Sequence, residues 1–254
     1  MTCECVNDGG QQSIVRIGTL LVLDQETVID DAARQALSLW SPRIGEAVTV
    51  CDCHDVWFRA RISQMDDNSV TILPFERIEV PESALEICVF QALPSKERFE
   101  LVVQKLTEIG VTRIVPFVSQ HSVTLEERDA GQKKSHRWPE VVKRAAKQCR
   151  RGMIPELSAV QQWDDLFEEL MQWDVKVLLD EQGSGWTFAD GIGTGRPSRV
   201  AIIVGPEGGF DRQEVEQAQQ QGAVPVTLGN RILRTETAAI VAATLVQYIV
   251  GDYA

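Results

Sequence analysis

Apolar and polar positions along the chain fall into two regimes. Up to about residue 80 the apolar runs are short: residues 17–23, 47–50, an alternating 56–62, and 70–73. Runs of that length and composition predict strands. Residues 30–39 read instead as a helix, with Asp30 or Asp31 as its cap. The expected result is a small β-barrel over residues 1–80. A linker follows at residues 74–83, where Pro74 and Pro81 fall in a stretch with no period.

Beyond it, residues 81–254 alternate between strand and helix patterns. Strands are predicted at 85–93, 113–118 and 175–180, and helices at 98–109, 138–150 and near 164–171. A Gly/Ser-rich stretch follows. Two strand-loop-helix units close the chain. The first runs 201–204, then Gly205-Pro206-Glu207-Gly208-Gly209, then a helix capped by Asp211 with Glu214 completing a capping box. The second runs 224–228, then Gly229-Asn230-Arg231 and Ile232-Leu233-Arg234, then a helix with Thr235 as N-cap. Regular alternation predicts an α/β domain with a parallel sheet and helices on both faces. Ligands bind such sheets outside the carboxyl ends of the strands, so both glycine loops mark the expected site. Leu179-Asp180-Glu181 ends a third strand on the same edge.

Composition changes this picture little. With 44% apolar and 24% charged residues, 254 positions suit an ordinary globular enzyme. A net charge of −12 argues against a general nucleic-acid binder, but the distribution is uneven. Lys133, Lys134, Arg137, Lys143, Arg144, Lys147, Arg150 and Arg151 cluster around a single acid, Glu140. On a helix, Val142, Ala145, Ala146 and Cys149 form an apolar face, leaving Lys143, Lys147 and Arg151 on a flank suited to phosphates. Residues 1–12 are polar and acidic, and the apolar stretch 238–250 is too short to span a bilayer. The expectation is a cytoplasmic protein with no membrane partner. Cys3-x-Cys5 and Cys51-x-Cys53-His54 raise the question of zinc, but the usual knuckle spacing is wider. They read as thiols in a reducing compartment, with no metal.

The glycine loops match neither the dinucleotide fingerprint nor the phosphate loop. Taken together, GPEGG at 205–209, LG-x-R-ILRTETA at 228–238 and Lys105-x-x-Glu108-x-Gly110 resemble the RsmE family of ribosomal RNA methyltransferases. The resemblance implies a SPOUT-type knotted parallel sheet and an N-terminal PUA-like barrel that binds RNA. It also implies S-adenosylmethionine as cofactor, the small ribosomal subunit as partner, a homodimer, and methylation of N3 of a 16S uridine. The cofactor residues it implies are Leu179, Gly205, Pro206, Glu207, Gly208, Leu228, Gly229, Asn230, Ile232, Leu233, Arg234, Thr235 and Thr237.

Uridine N3 bears a proton at neutral pH, so its methylation needs a base or a cation that stabilises the anion. Arg234 is the expected cation, and Glu207 and Glu236 are the nearest carboxylates; Glu207 joins Arg234 as a catalytic candidate, while Glu236 is expected to satisfy backbone donors at the helix start or to hold Arg234. Lys105 and Glu108 share a helix face and are expected to pair.

The N-terminal half departs from the family pattern: Gln35 and Ser41 stand where a histidine and an arginine are usual, and His121 replaces an arginine. RNA contacts are therefore expected from Arg16, Arg34, Arg43, Lys96, Lys143, Lys147 and Arg151. The competing readings are methylation at another RNA position, such as a ribose 2′-hydroxyl, or a non-catalytic ribosome-assembly factor. Helix 235–250 is apolar around most of its circumference, as a dimer contact requires.

Overall fold

A computed structural model describes residues 6–94, 98–127, 135–182 and 185–253. Two compact units divide the chain, and neither division is contiguous. Asp8–Glu82 combines with Lys143–Glu156 in the small unit, and Ser83–Val142 with Leu157–Ala254 in the large one.

The small unit is a four-stranded antiparallel sheet. Its strands are β1 (Thr27–Val28), β2 (Ala47–Cys51), β3 (Trp57–Met65) and β4 (Val70–Ile78), in the order β1-β4-β3-β2. The buried side chains Val48, Val50, Phe58, Ala60, Ile62, Val70 and Ile72 form its core. Helix α1 (Asp31–Leu39) is capped by Asp30, whose carboxylate accepts from the Ala33 amide at 2.8 Å.

Two expectations fail here. Residues 17–23 do not form a strand: Ile17 makes one isolated bond to the Cys51 carbonyl at 2.7 Å, and beyond it amides as far as Asp24 bond outside any ladder. Gly18 donates to Asp30 at 3.0 Å, Leu21 to Asp52 at 3.5 Å, and Asp24 to the Pro74 carbonyl at 2.8 Å. The linker begins later than residue 74, because Pro74 pairs with Ala60 inside β4. It sits beside a register shift in β3, a place where a strand tolerates a missing donor.

Residues 143–156 complete the small unit, whereas the sequence pattern assigned them to the large domain. Glu82 anchors them. Its carboxylate meets Arg151 at 2.6 Å and accepts from the amides of Gly152 at 2.8 Å and Met153 at 3.1 Å. Gly152 lies against the Trp57 ring, where a Cβ would collide.

The large unit holds β5 (Glu86–Ala92), α2 (Phe99–Ile109), β6 (Arg113–Val118), part of α3 (Trp138–Gln148), β7 (Glu156–Leu157), β8 (Gln161–Gln162), α4 (Leu166–Leu170), β9 (Val175–Leu179), α5 (Phe188–Ile192), β10 (Arg199–Val204), α6 (Arg212–Gln220), β11 (Val224–Val226) and α7 (Thr235–Val250). The sheet order is β11-β9-β10-β5-β6-β7, with β8 also on β6. Strands β11, β9, β10, β5, β6 and β8 pair in parallel. Every residue of β5 after Glu86 and of β10 after Arg199 is buried, as in a sheet covered on both faces. On one face Phe90, Phe117, Trp163, Phe210 and Ala218 belong to a single apolar cluster.

Helix α5 lies in the stretch read as a Gly/Ser loop, started by a capping box between Thr187 and Asp190. Among the described residues, no helix is long and apolar enough to cross a membrane.

Candidate active site

Strands β9, β10 and β11 end on one edge of the sheet, and their loops enclose a cavity of about 430 Å³. Its wall comes from residues 179–182, 204–207, 209–210 and 226–235, with Ala238. Of the expected cofactor contacts, Leu179, Gly205, Pro206, Glu207, Leu228, Gly229, Asn230, Ile232, Leu233, Arg234 and Thr235 line it. Gly208 and Thr237 do not. Gly208 faces His121 instead, where an added Cβ would come within 3.0 Å of the histidine Cβ. Thr237 is exposed on the first turn of α7.

The wall also contains Asp180, Glu181, Gln182, Val204, Gly209, Phe210, Val226, Thr227, Arg231 and Ala238. Most of these adjoin residues the motifs had marked. Phe210 is the exception in kind, since it belongs to the buried cluster and forms the cavity floor and the core together.

A buried hydrogen-bond chain holds the loops in register. The Thr235 hydroxyl donates to the Gly205 carbonyl at 2.6 Å and accepts from the Gln91 side-chain amide at 2.9 Å. Gln91 is fully buried on β5, so the sheet fixes both loops at one point. Thr235 is therefore not the N-cap of α7. Arg234 occupies that position, without a side-chain capping bond, and the threonine hydroxyl is spent on tertiary contacts.

Glycine matters at two turns. Gly209 has φ +69° and closes a turn onto the Pro206 carbonyl at 3.0 Å. Gly229 has φ +109°, held by two bonds to the Thr227 hydroxyl. Both conformations disfavour any side chain. The Asp211–Glu214 capping box forms as the sequence indicates, and Glu214 also accepts from the Gln120 amide at 2.9 Å. His121 completes this junction, with Nδ1 3.4 Å from the Gly209 carbonyl.

Charge at the rim is arranged differently from expectation. Glu236 does not hold Arg234. Arg98 takes that place, with one guanidinium nitrogen 3.3 Å from Glu207 and 3.7 Å from Glu236. Arg234 is exposed, and among the described residues no ion pair engages its guanidinium. Nothing in the local pattern singled out Arg98, because Glu207 lies 109 positions away. Lys105 and Glu108 pair at 2.8 Å along α2.

The expected RNA contacts separate into groups. Arg16 pairs with Asp55. Arg34 binds Asp31 at 2.9 Å and the Asp67 carbonyl at 2.9 Å. Arg43 is exposed. Lys143 donates to Ser41 at 2.8 Å, and Lys147 meets Glu46 at 2.8 Å. Arg151 is only 5% exposed and locked onto Glu82, so its charge is used inside the fold and is not presented to phosphates. Lys96, Cys3 and Cys5 lie outside the described residues. Cys51 is buried, its thiol pushed up by burial, and Cys53 is exposed. Among the described residues no three His, Cys, Asp or Glu side chains form a metal-binding group.

The profile of the RNA methyltransferase domain matches residues 81–247. Ribosomal RNA small subunit methyltransferase E from Bacillus subtilis (strain 168) is 30% identical, over 81% of this chain and 84% of its own length. The protein of the same name from Mesomycoplasma hyopneumoniae (strain 232) is 31% identical, over 78% and 84%. Among solved structures, a methyltransferase from Legionella pneumophila in complex with the bound cofactor SAM superposes with a TM-score of 0.67 at 31% identity, covering 94% of this chain and 98% of that one. Ribosomal RNA small subunit methyltransferase E from Neisseria gonorrhoeae, bound to S-adenosyl methionine, gives 0.65 at 28% identity, with coverage of 94% and 98%.

Proposed function

The chain belongs to the RNA methyltransferase domain family, among the ribosomal RNA small subunit methyltransferases E, and on that premise we propose that it methylates N3 of a uridine in small-subunit ribosomal RNA, with S-adenosylmethionine as methyl donor. One observation carries the reading. Three strand-end loops converge on a single cavity whose rim presents an exposed guanidinium, Arg234.

The cavity suits the cofactor. Its volume lies within the usual range for small-molecule sites, and Leu179, Val204, Val226, Leu228 and Leu233 supply apolar walls for a ring. Gly205, Gly209 and Gly229 bring backbone to the cavity wall with no side chain of their own. The cofactor supplies a methyl group on a positively charged sulfur, an electrophile that carries its own activation. The protein's task is to place the uridine and remove its N3 proton. Arg234 offers a planar donor fork to a uracil carbonyl oxygen and stabilises the anion that forms. Glu207, oriented by Arg98, is the rim carboxylate that accepts the proton. In a duplex N3 is engaged in pairing, so the target base is single-stranded or flipped.

The finer architecture belongs to the same proposal. The small unit is read as a PUA-like RNA-binding barrel, and the large unit as the methyltransferase domain. The chain end is read as a SPOUT-type trefoil knot; support comes from α7, which returns from the cavity to pack on β10, β5 and α2. A homodimer is read from the outer side of α7, where Ile240, Val241, Leu245 and Ile249 are only half-buried and Tyr248 is exposed. Ribosomal RNA as substrate places the work in the cytoplasm. Nucleoside mass spectrometry of ribosomal RNA from cells lacking the protein tests the central reading. Loss of 3-methyluridine is expected, and loss of a ribose methylation instead would overturn it.

A further inference from the structure

In the small unit, α3 ends in a turn that is normally built on glycine. The Arg151 amide donates to the Ala146 carbonyl at 2.9 Å and the Arg150 amide to Lys147 at 3.2 Å, the paired bonds of a Schellman motif. The residue in its left-handed position, with φ +64°, is Arg150. An arginine there is strained where glycine would not be, and strain of this kind is a pointer to use.

The strained turn borders a small cavity. Arg59, Lys147, Arg150, Arg151, Thr49 and Trp40 are among its walls. Two of the four cations are neutralised: Lys147 by Glu46 and Arg151 by Glu82. The other two have no carboxylate within ion-pair distance among the described residues. Arg59 is 8% exposed, and its guanidinium reaches only neutral oxygens, the Thr49 hydroxyl at 2.5 Å and the Ala47 carbonyl at 3.4 Å. The same Thr49 hydroxyl donates to the Arg150 carbonyl at 3.1 Å, which ties the strained turn to the buried cation. Burial first, and then repulsion from Arg150, pulls the Arg59 guanidinium below the usual arginine value, against an opposing attraction from Glu76. Glu76, opposite Arg59 on β4, attracts it without pairing, and a buried cation with no directly paired counter-charge is costly unless an anion completes the site.

We propose that Arg59 and Arg150 seat one phosphate group of the RNA substrate on the small unit. The proposal rests on ribosomal RNA being the substrate. One phosphate oxygen faces the mouth of the cavity toward Arg59, while Arg150 grips the group from outside.

The test uses the full chain, with inorganic phosphate and with a small-subunit ribosomal RNA fragment as probes. At matched ionic strength, phosphate raises the wild-type melting temperature above its value in chloride. Arg150→Gly relieves the turn, so in phosphate-free buffer this variant melts about 1–3 °C higher than wild type. It also loses the phosphate-specific rise, as does Arg59→Met. For RNA, the slope of log affinity against log salt shallows by roughly one in Arg150→Gly. A lower melting temperature for Arg150→Gly without phosphate would make Arg150 a structural residue and overturn the proposal. So would a wild type that does not respond to phosphate, or RNA binding unchanged in both variants. If wild-type protein responds to phosphate yet binds no ribosomal RNA, the substrate reading fails along with the seat built on it.

Discussion

Replacing Thr235 with valine removes one oxygen atom from the large unit and keeps its shape. That oxygen makes two bonds: it donates to the Gly205 carbonyl at 2.6 Å and accepts from Gln91 at 2.9 Å. In Thr235→Val the Gln91 amide keeps only its bond to the Ala92 carbonyl at 3.0 Å, in a place with no access to water. Stranding a buried donor costs about 1–3 kcal/mol; the Gly205 carbonyl, beside the cavity, loses less, so the sum is about 3 kcal/mol. For a protein of this size that lowers the melting temperature by roughly 6–12 °C. The Gly205 loop also loses its tether to the sheet, and affinity for S-adenosylhomocysteine falls about tenfold, a difference of about 1.4 kcal/mol. Thr235→Ser keeps the hydroxyl and loses one methyl group, about 1 kcal/mol, with affinity close to wild type. Circular dichroism melting and titration calorimetry read both quantities. A valine variant that melts within two degrees of wild type (roughly 1 kcal/mol or less) and binds equally well would show that the hydroxyl does not hold the loops.

Arg234→Ala is expected to leave cofactor affinity within a few-fold while single-turnover methyl transfer falls roughly 10²-fold or more; Arg234→Lys restores little, and a near-normal rate at saturating cofactor would remove Arg234 from the chemistry. Arg98→Ala releases Glu207 and Glu236 together and lowers turnover roughly tenfold to hundredfold, with partial rescue by Arg98→Lys; steady-state kinetics that show no change would leave the ion pairs without a catalytic role. Asp30 titrates below the usual aspartate range, held first by the Ala33 amide and then, against some burial, by that of Gly18. A depressed carboxyl contributes stability above its unfolded value and loses it as pH falls through the folded one. Asp30→Ala therefore costs about 1 kcal/mol at neutral pH, and urea titrations should show the gap closing below about pH 4. Light scattering at micromolar concentration should report twice the 28.3 kDa of one chain, and a stable particle of single-chain mass would refute the dimer.

Features that depend on neighbours in sequence were legible before any coordinates. The Asp211–Glu214 box and the two glycine turns need only four or five residues each, so their motifs carry their geometry. The alternation after residue 84 likewise shows the parallel sheet, because β5 and β10 are apolar on both faces. What escaped depends on distant partners. Residues 17–23 have the composition of a strand, but carboxylates at Asp30 and Asp52 capture amides that a ladder would need. Thr235 has the character of a cap, yet Gly205 and Gln91 claim its hydroxyl. Arg151 sits in a basic run that looks solvated, and Glu82 draws it inside. Arg98 stands in no motif at all, and only folding brings Glu207 and Glu236 to it.

The interrupted make-up of the small unit bears on how it can be handled and how it is made. A fragment ending at Glu82 would leave that carboxylate without Arg151 and without the amides of Gly152 and Met153. It would also uncover the Trp57 ring where Gly152 packs. The unit is therefore not a cassette that can be cut at one point, grafted onto another enzyme, or assayed for RNA binding by itself. On the ribosome its strands emerge early but stay unfinished while Ser83–Val142 is synthesised, and they gain their last wall only when Lys143–Glu156 arrives. Insertion of one module within another couples their inheritance as well: the strand segment and the basic segment must change together, although Ser83–Val142 of a different unit separates them in the gene.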